Sequence, residues 1–82
     1  MIDPVGSRET TVDPTHLLSA RESEVLGLAA RGLTNAEIAA RLNVTVHAVK
    51  FHLAGVYRKF GVTNRTKAVW IYLGAPTGAP GA

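Results

Sequence analysis

The run from Leu33 to Phe60 constrains the fold of this chain more than any other segment. Within it, residues 46–60 carry apolar side chains at i, i+4, i+7 and i+11: Val49, Leu53, Val56 and Phe60. That spacing is typical of the buried face of an α-helix. The opposite side carries His47, Lys50, Phe51, Ala54 and Arg58. We therefore predict a helix with one face in a small core and the other face open to a partner.

Capping signals divide the chain into four helices, which predicts an all-α fold. The expected N-caps are Ser19, Thr34, Thr45 and Asn64. The first two are each followed three residues later by a glutamate, as in a capping box. The predicted helices cover residues 20–31, 35–42, 46–60 and 65–73. The connection between the second and third helices is so short that it predicts the sharp turn of a helix-turn-helix unit.

The two ends of the chain differ in composition from the helical part. Residues 1–17 hold two prolines and show no apolar periodicity, so we interpret them as a linker or an expression remnant. Residues 74–82, GAPTGAPGA, are Gly/Pro/Ala low complexity, which predicts a disordered tail. The predicted domain therefore covers residues 18–73.

Charge is distributed unevenly along the 82 residues, whose net charge is +3. No acidic residue follows Glu37, whereas most of the lysines and arginines do. Such an excess favours a polyanionic partner. The sequence has no cysteine and no apolar run of the ~20 residues that a membrane span needs. It also shows no paired carboxylates, no nucleophile–base pair and no phosphate-binding glycine loop, so we expect neither an enzyme nor a bound cofactor or metal.

Five motifs resemble the LuxR/NarL (GerE-type) DNA-binding domain. They are LSARESEVL at 18–26, GLTNAEIAARL at 32–42, VKFH at 49–52, KFGV at 59–62 and RTKAV at 65–69. The resemblance implies a four-helix bundle whose third helix reads the major groove of double-stranded DNA. It implies the effector domain of a bacterial transcription regulator, bound as a homodimer, with RNA polymerase as a further partner. It also implies a cytoplasmic, nucleoid-associated protein without a membrane or small-molecule ligand. The chain departs from the family pattern at Ala48, Gly55, Lys67 and Tyr72.

The expected DNA-contacting residues follow from this resemblance and from side-chain chemistry. Lysine suits guanine acceptors and an apolar ring suits the thymine methyl group. The expected base contacts are Lys50, Phe51, Ala54 and His47. The expected phosphate contacts are Thr34, Asn35, Thr45, Arg58, Lys59, Arg65 and Lys67. The expected dimer contacts are Trp70, Ile71 and Leu73. His52 flanks the apolar stripe and is interpreted as a structural hydrogen-bonding residue.

Each assignment has a simpler alternative. Any single cation can be a solvated surface charge. Thr45 can act only as a cap and Asn35 only as a first-turn residue, and Trp70 can cover the core. For the whole chain, the alternative is a helical adaptor that binds a protein partner through exposed apolar residues. Gly55, in the middle of the third helix, costs about 1 kcal/mol relative to alanine. Gly55→Ala is therefore expected to stabilise the free domain unless a group packs closely there.

Overall fold

The computed structural model describes residues 14–74, which contain only helices and their connections. A short 3-10 helix, Pro14–Leu17, precedes α1 (Ala20–Ala30), α2 (Asn35–Leu42), α3 (Val46–Phe60) and α4 (Arg65–Tyr72). The predicted all-α fold with a helix-turn-helix is confirmed, and α2 and α3 have the predicted bounds. The first and fourth helices each end one residue earlier than predicted. None of the described helices is both long enough and apolar enough to cross a membrane.

The helices begin where the capping signals predict. Ser19 Oγ accepts from the Glu22 amide at 3.1 Å, and the Glu22 carboxylate accepts from the Ser19 amide at 2.9 Å. Thr34 and Glu37 form the same reciprocal pair at the start of α2. Thr45 caps α3 with a single bond, from the Ala48 amide. These bonds satisfy amide groups that have no partner inside a helix, so the helix starts are fixed by local sequence.

A left-handed residue makes the turn between α2 and α3. Asn43 has φ 57° and ψ 47°, a conformation that asparagine tolerates better than most residues. The Val44 amide then donates to the Ala39 carbonyl oxygen at 3.0 Å. α3 consequently starts three residues after Asn43, and only residues 43–45 separate the two helices. Gly61, with φ 70°, ends α3 in the same conformation.

The core places α3 in contact with all three other α-helices. One cluster joins α1, α2 and α3; its buried members are Val25, Ala29, Ile38, Ala39, Val49 and Leu53. A second cluster joins α1, α3 and α4 through Leu26, Val56 and Ala68. The predicted apolar stripe of α3 is therefore its buried face. The opposite stripe necessarily points away from the core.

The segment predicted to be a linker contains one structured element. Pro14–Leu17 forms the 3-10 helix and contacts α4. A proline fits the first position of a helix, because its ring fixes φ and the missing N–H is not needed there. The rest of the predicted linker, residues 1–13, and residues 75–82 of the predicted tail lie outside the described residues.

Gly55 makes room for an ion pair between α1 and α3. The Glu22 side chain is buried, and its Oε1 lies 2.7 Å from Lys59 Nζ. The other carboxylate oxygen, Oε2, occupies the space that a Cβ at residue 55 would need. The group that packs closely at Gly55 is therefore part of the fold itself, a side chain of α1.

Gly55→Ala is accordingly expected to lower the free energy of unfolding by about 1 kcal/mol, because displacing Glu22 costs more than the helix propensity gained. In a Glu22→Ala background the same change should stabilise by about 1 kcal/mol. Urea unfolding of the four proteins measures this double-mutant cycle. Stabilisation in both backgrounds would mean that the carboxylate moves aside without cost.

Candidate nucleic-acid interface

The exposed face of α3 brings together the four residues predicted to contact bases. His47, Lys50, Phe51 and Ala54 are all exposed, and Arg58 continues the same stripe one turn further on. Phe51 is 69% exposed, the highest value among the large apolar side chains of residues 14–74. Leaving a phenyl ring in water forgoes its burial energy. A partner that covered this face would recover that energy.

His52 supports the aromatic side chain of this face. The rings of Phe51 and His52 lie edge to face, with centroids 5.5 Å apart and planes at 74°. This arrangement is favourable for aromatic pairs. Within residues 14–74 the imidazole of His52 forms no hydrogen bond, so the observed partner of this side chain is the ring of Phe51. The hydrogen-bonding role expected from the sequence is not found there.

The polar candidates for phosphate contact lie at helix starts. Thr34 and Thr45 are exposed, and each hydroxyl oxygen accepts a backbone N–H in its cap. A hydroxyl that accepts one bond still carries its own hydrogen, so capping and phosphate binding are compatible. Asn35, the first residue of α2, is half-buried and accepts a bond from Arg65.

The four basic candidates fall into two groups. Arg58 and Lys67 are exposed, and neither side chain forms an ion pair or hydrogen bond with another residue in the described range. Lys59 instead pairs with Glu22. Arg65 donates to Asn35 Oδ1 at 2.9 Å and to the Leu33 carbonyl oxygen. These two internal roles were not predictable from the sequence, because the partners are 30 or more residues apart and no local pattern relates them.

Acidic side chains are unevenly distributed over the four α-helices. The three glutamates of the described residues lie on α1 and α2, and α3 and α4 contain none. Glu22 pairs with Lys59, Glu24 lies 3.2 Å from Arg21, and Glu37 caps α2. α3 and α4 therefore contribute basic but no acidic side chains to the surface. In the part of the chain that the structure describes, no group of three His, Asp or Glu side chains could hold a metal ion.

The carboxyl group of Glu22 is held in its charged form. Burial raises its pKa, but hydrogen bonds from Lys59 and from the Ser19 amide, together with the Lys59 charge, lower it by more. The net pKa lies below the ordinary value of 4.5. Glu22 therefore neutralises Lys59 at physiological pH.

The predicted dimer residues are unequally placed on α4. Trp70 and Ile71 are half-buried, and Leu73 is 66% exposed. Tyr72 lies across α1, with its hydroxyl over Gly27. Leu17 of the 3-10 helix is also largely exposed. α4 thus combines a core contact through Ala68 with an apolar surface toward its C-terminus.

These features define a class of protein: a helix-turn-helix domain, in which a sharp turn joins two helices and the second presents a basic, aromatic face. The model of the family "Bacterial regulatory proteins, luxR family" (GerE) matches residues 16–72. The chain belongs to this family, as its motifs predicted. Members of the family are transcription regulators and not enzymes.

Several proteins of known type are similar to the chain. "Probable transcriptional regulatory protein SgaR" of Hyphomicrobium methylovorum is 46% identical over 61 residues, covering 74% of this chain and 29% of SgaR. The nitrate/nitrite response regulator NarL of Escherichia coli K12 is 37% identical over 68 residues, covering 82% of this chain and 32% of NarL. In the crystal structure of ChrA, the response regulator of a heme-sensing two-component system, a region covering 70% of this chain and 28% of ChrA superposes with a TM-score of 0.67 at 44% identity. The chain spans about a third or less of each relative's length.

Proposed function

We propose that the chain binds double-stranded DNA sequence-specifically in transcription regulation, with α3 in the major groove and two copies on two half-sites. The observation that carries the proposal is the division of α3 into a buried apolar face and an exposed face of cations, a ring and a small side chain. A helix of this width fits the major groove of B-DNA. Membership of a family of regulators supports DNA as the partner.

Bases would be read from the exposed stripe of α3. Lys50 would donate to guanine O6 and N7, and Phe51 would contact a thymine methyl group. Ala54, one turn after Lys50, would let the helix approach closely because its side chain is short. His47, near the start of α3, would contact a base edge or the adjacent backbone.

Phosphates would be bound around this stripe. The neutral donors proposed are Thr34, Asn35 and Thr45, at the starts of α2 and α3, where backbone N–H groups also favour an anion. The cations proposed to contact phosphate directly are Arg58 and Lys67, whose charged groups have no partner among residues 14–74. Lys59 and Arg65 are the other two cations expected from the sequence to contact phosphate. Lys59 is paired with Glu22, and Arg65 is bonded to Asn35 and Leu33. Both would act on DNA binding from these positions inside the domain.

Neutralising Arg58 and Lys67 with glutamine is expected to flatten the dependence of log affinity on log salt by about 0.9 for each phosphate contact removed. The preferred base sequence should hardly change, since phosphate contacts carry no direct sequence information. Titration of a labelled duplex at several salt concentrations measures the slope. Arg21→Gln is the matched control, because the Arg21 side chain is 41% exposed but pairs with Glu24 on α1. An equal change of the salt slope in Arg21→Gln would mean that the slope does not distinguish cations on α3 and α4 from a cation on α1.

In vitro selection of bound duplexes at two salt concentrations tests the proposal as a whole. A shared motif at both salts, with affinity falling steeply as salt rises, is the expected result. Recovery of no motif, together with salt-insensitive binding of an apolar protein partner, would favour the adaptor that the sequence left open.

The homodimer is proposed through α4. One short helix in one groove gives a small interface, and two copies on half-sites about 10 bp apart would multiply its specificity. Trp70, Ile71 and Leu73 provide the apolar surface for a contact that forms on DNA. For the whole protein we propose the cytoplasm, at the nucleoid, with RNA polymerase as a further partner; family membership supports this setting.

Trp70→Ala is expected to weaken cooperative binding to a two-half-site duplex by about tenfold, the effect of losing one well-placed interface aromatic. Binding to a single half-site should be unchanged. Fluorescence titration of both duplexes separates the two effects. Equal loss on both would show that Trp70 supports the core instead of the dimer.

A further inference from the structure

Arg65 links the starts of two helices that both carry proposed phosphate contacts. It is the first residue of α4 and is half-buried. Its Nη1 donates to Asn35 Oδ1, at the first position of α2, and its Nη2 donates to the carbonyl oxygen of Leu33. One planar guanidinium thus spans two acceptors, a geometry that a lysine ammonium does not reproduce.

The bond to Arg65 determines how the Asn35 amide is oriented. A guanidinium carries only donors, so the atom of the amide that faces it must be the oxygen. The amide nitrogen, Nδ2, is then turned away from Arg65. Within residues 14–74, Nδ2 forms no hydrogen bond in the structure. The result is a double donor held in one orientation at a helix start, where an anion is favoured.

We propose that Arg65 is a positioning residue for DNA binding, which holds the Asn35 amide so that Nδ2 donates to a phosphate oxygen. The inference rests on the proposed function, in which Asn35 contacts phosphate. It replaces the direct phosphate contact that the sequence suggested for Arg65. The proposal implies that Asn35 and Arg65 act as one unit, so the effects of changing them on DNA affinity are not additive.

The coupling is tested with Asn35→Ala, Arg65→Met and the double variant. The probe is a duplex recovered by selection, with a scrambled duplex of equal length beside it. Each single change is expected to weaken binding about fivefold to tenfold, as for the loss of one hydrogen bond to a charged group. The double variant should bind no more weakly than the weaker single variant. Multiplication of the two losses would show independent roles and overturn the proposal.

A charge-retaining variant separates positioning from direct contact. Arg65→Lys keeps the cation but cannot span both acceptors, so it should bind about as weakly as Arg65→Met. The salt slope of Arg65→Met should stay near the wild-type value, while Arg58→Gln flattens it by about 0.9. Wild-type affinity in Arg65→Lys, with a flattened slope in Arg65→Met, would instead make Arg65 a phosphate contact.

Folding and function are kept apart in the same experiment. Arg65 also bonds Leu33, so circular dichroism melting must show that each variant is folded at the binding temperature. Should Arg65→Met not fold, Arg65→Gln, which can still donate to one acceptor, takes its place in the cycle. If the wild-type chain itself binds neither duplex at low salt, the proposed function fails. If the wild-type chain binds DNA but the losses from the two single changes multiply in the double variant, only the proposed role of Arg65 fails.

Discussion

Glu22→Ala is expected to lower the free energy of unfolding by about 2–3 kcal/mol, the largest effect on stability of any single change considered for this domain. The change removes half of the capping box with Ser19 and leaves Lys59, which is about one third exposed, without its partner. It also opens a space beside Gly55. Urea unfolding at neutral pH measures the loss.

Glu24→Ala is the matched control for this prediction. Glu24 lies on the same helix and pairs with Arg21 at 3.2 Å, but both side chains are more than 40% exposed. Exposed pairs of this kind contribute less than about 1 kcal/mol. Comparable losses from the two substitutions would show that burial of Glu22 adds nothing to its role.

The lowered pKa of Glu22 predicts a matching dependence on pH. A carboxyl whose pKa is lower in the folded state stabilises the fold above its ordinary value and loses this contribution as the pH falls through the folded value. The stability advantage of the wild-type chain over Glu22→Gln should therefore be constant near neutrality and shrink below pH 4.5. Unfolding curves at a series of pH values test it; an advantage that grows in acid would contradict the assigned pKa direction.

Lys50→Ala is expected to weaken binding to the selected duplex by about 1–3 kcal/mol and to relax the preference at one or two base pairs. Lys50 is exposed on α3, next to Phe51 and one turn before Ala54, where a base edge would lie. Repeating the selection with the variant, and measuring affinities for single-base changes in the duplex, locates the relaxed positions.

The control for Lys50 is Lys67→Ala, which removes a cation on α4 outside the exposed stripe of α3. It should weaken binding to all duplexes by a similar factor, as loss of a phosphate contact does. If Lys50→Ala behaves in the same uniform way, Lys50 contacts phosphate and the proposed base contact is wrong.

The helices of this domain are predictable because their signals are local. Ser19, Thr34, Thr45 and Asn64 each cap the helix that they were predicted to start. The apolar spacing of α3 likewise predicted which of its faces is buried. Caps and helical periodicity act within four residues of sequence, so a single sequence contains them. The exposed stripe followed from the same periodicity.

The contacts between helices were not predictable in this way. Glu22 was identified as a capping residue, but its second partner, Lys59, is 37 residues away. Arg65 was expected to contact phosphate, and its bonds to Asn35 and Leu33, 30 and 32 residues away, had no signal in the sequence. Gly55→Ala was expected to stabilise the free domain unless a group packed closely there. The group that does so, the Glu22 carboxylate, lies on another helix. A single sequence records which groups can pair, but the packing of the helices decides which ones meet.

Because the core and the exposed stripe occupy opposite sides of α3, changes on one side need not disturb the other. Under the proposed function, Lys50, Phe51 and Ala54 can be exchanged without altering Val49, Leu53 or Val56. A domain built in this way can acquire new DNA targets at little cost in stability. The exceptions are the positions where the two sides meet, Gly55 and Lys59, so they are the ones a redesign of target preference should leave unchanged.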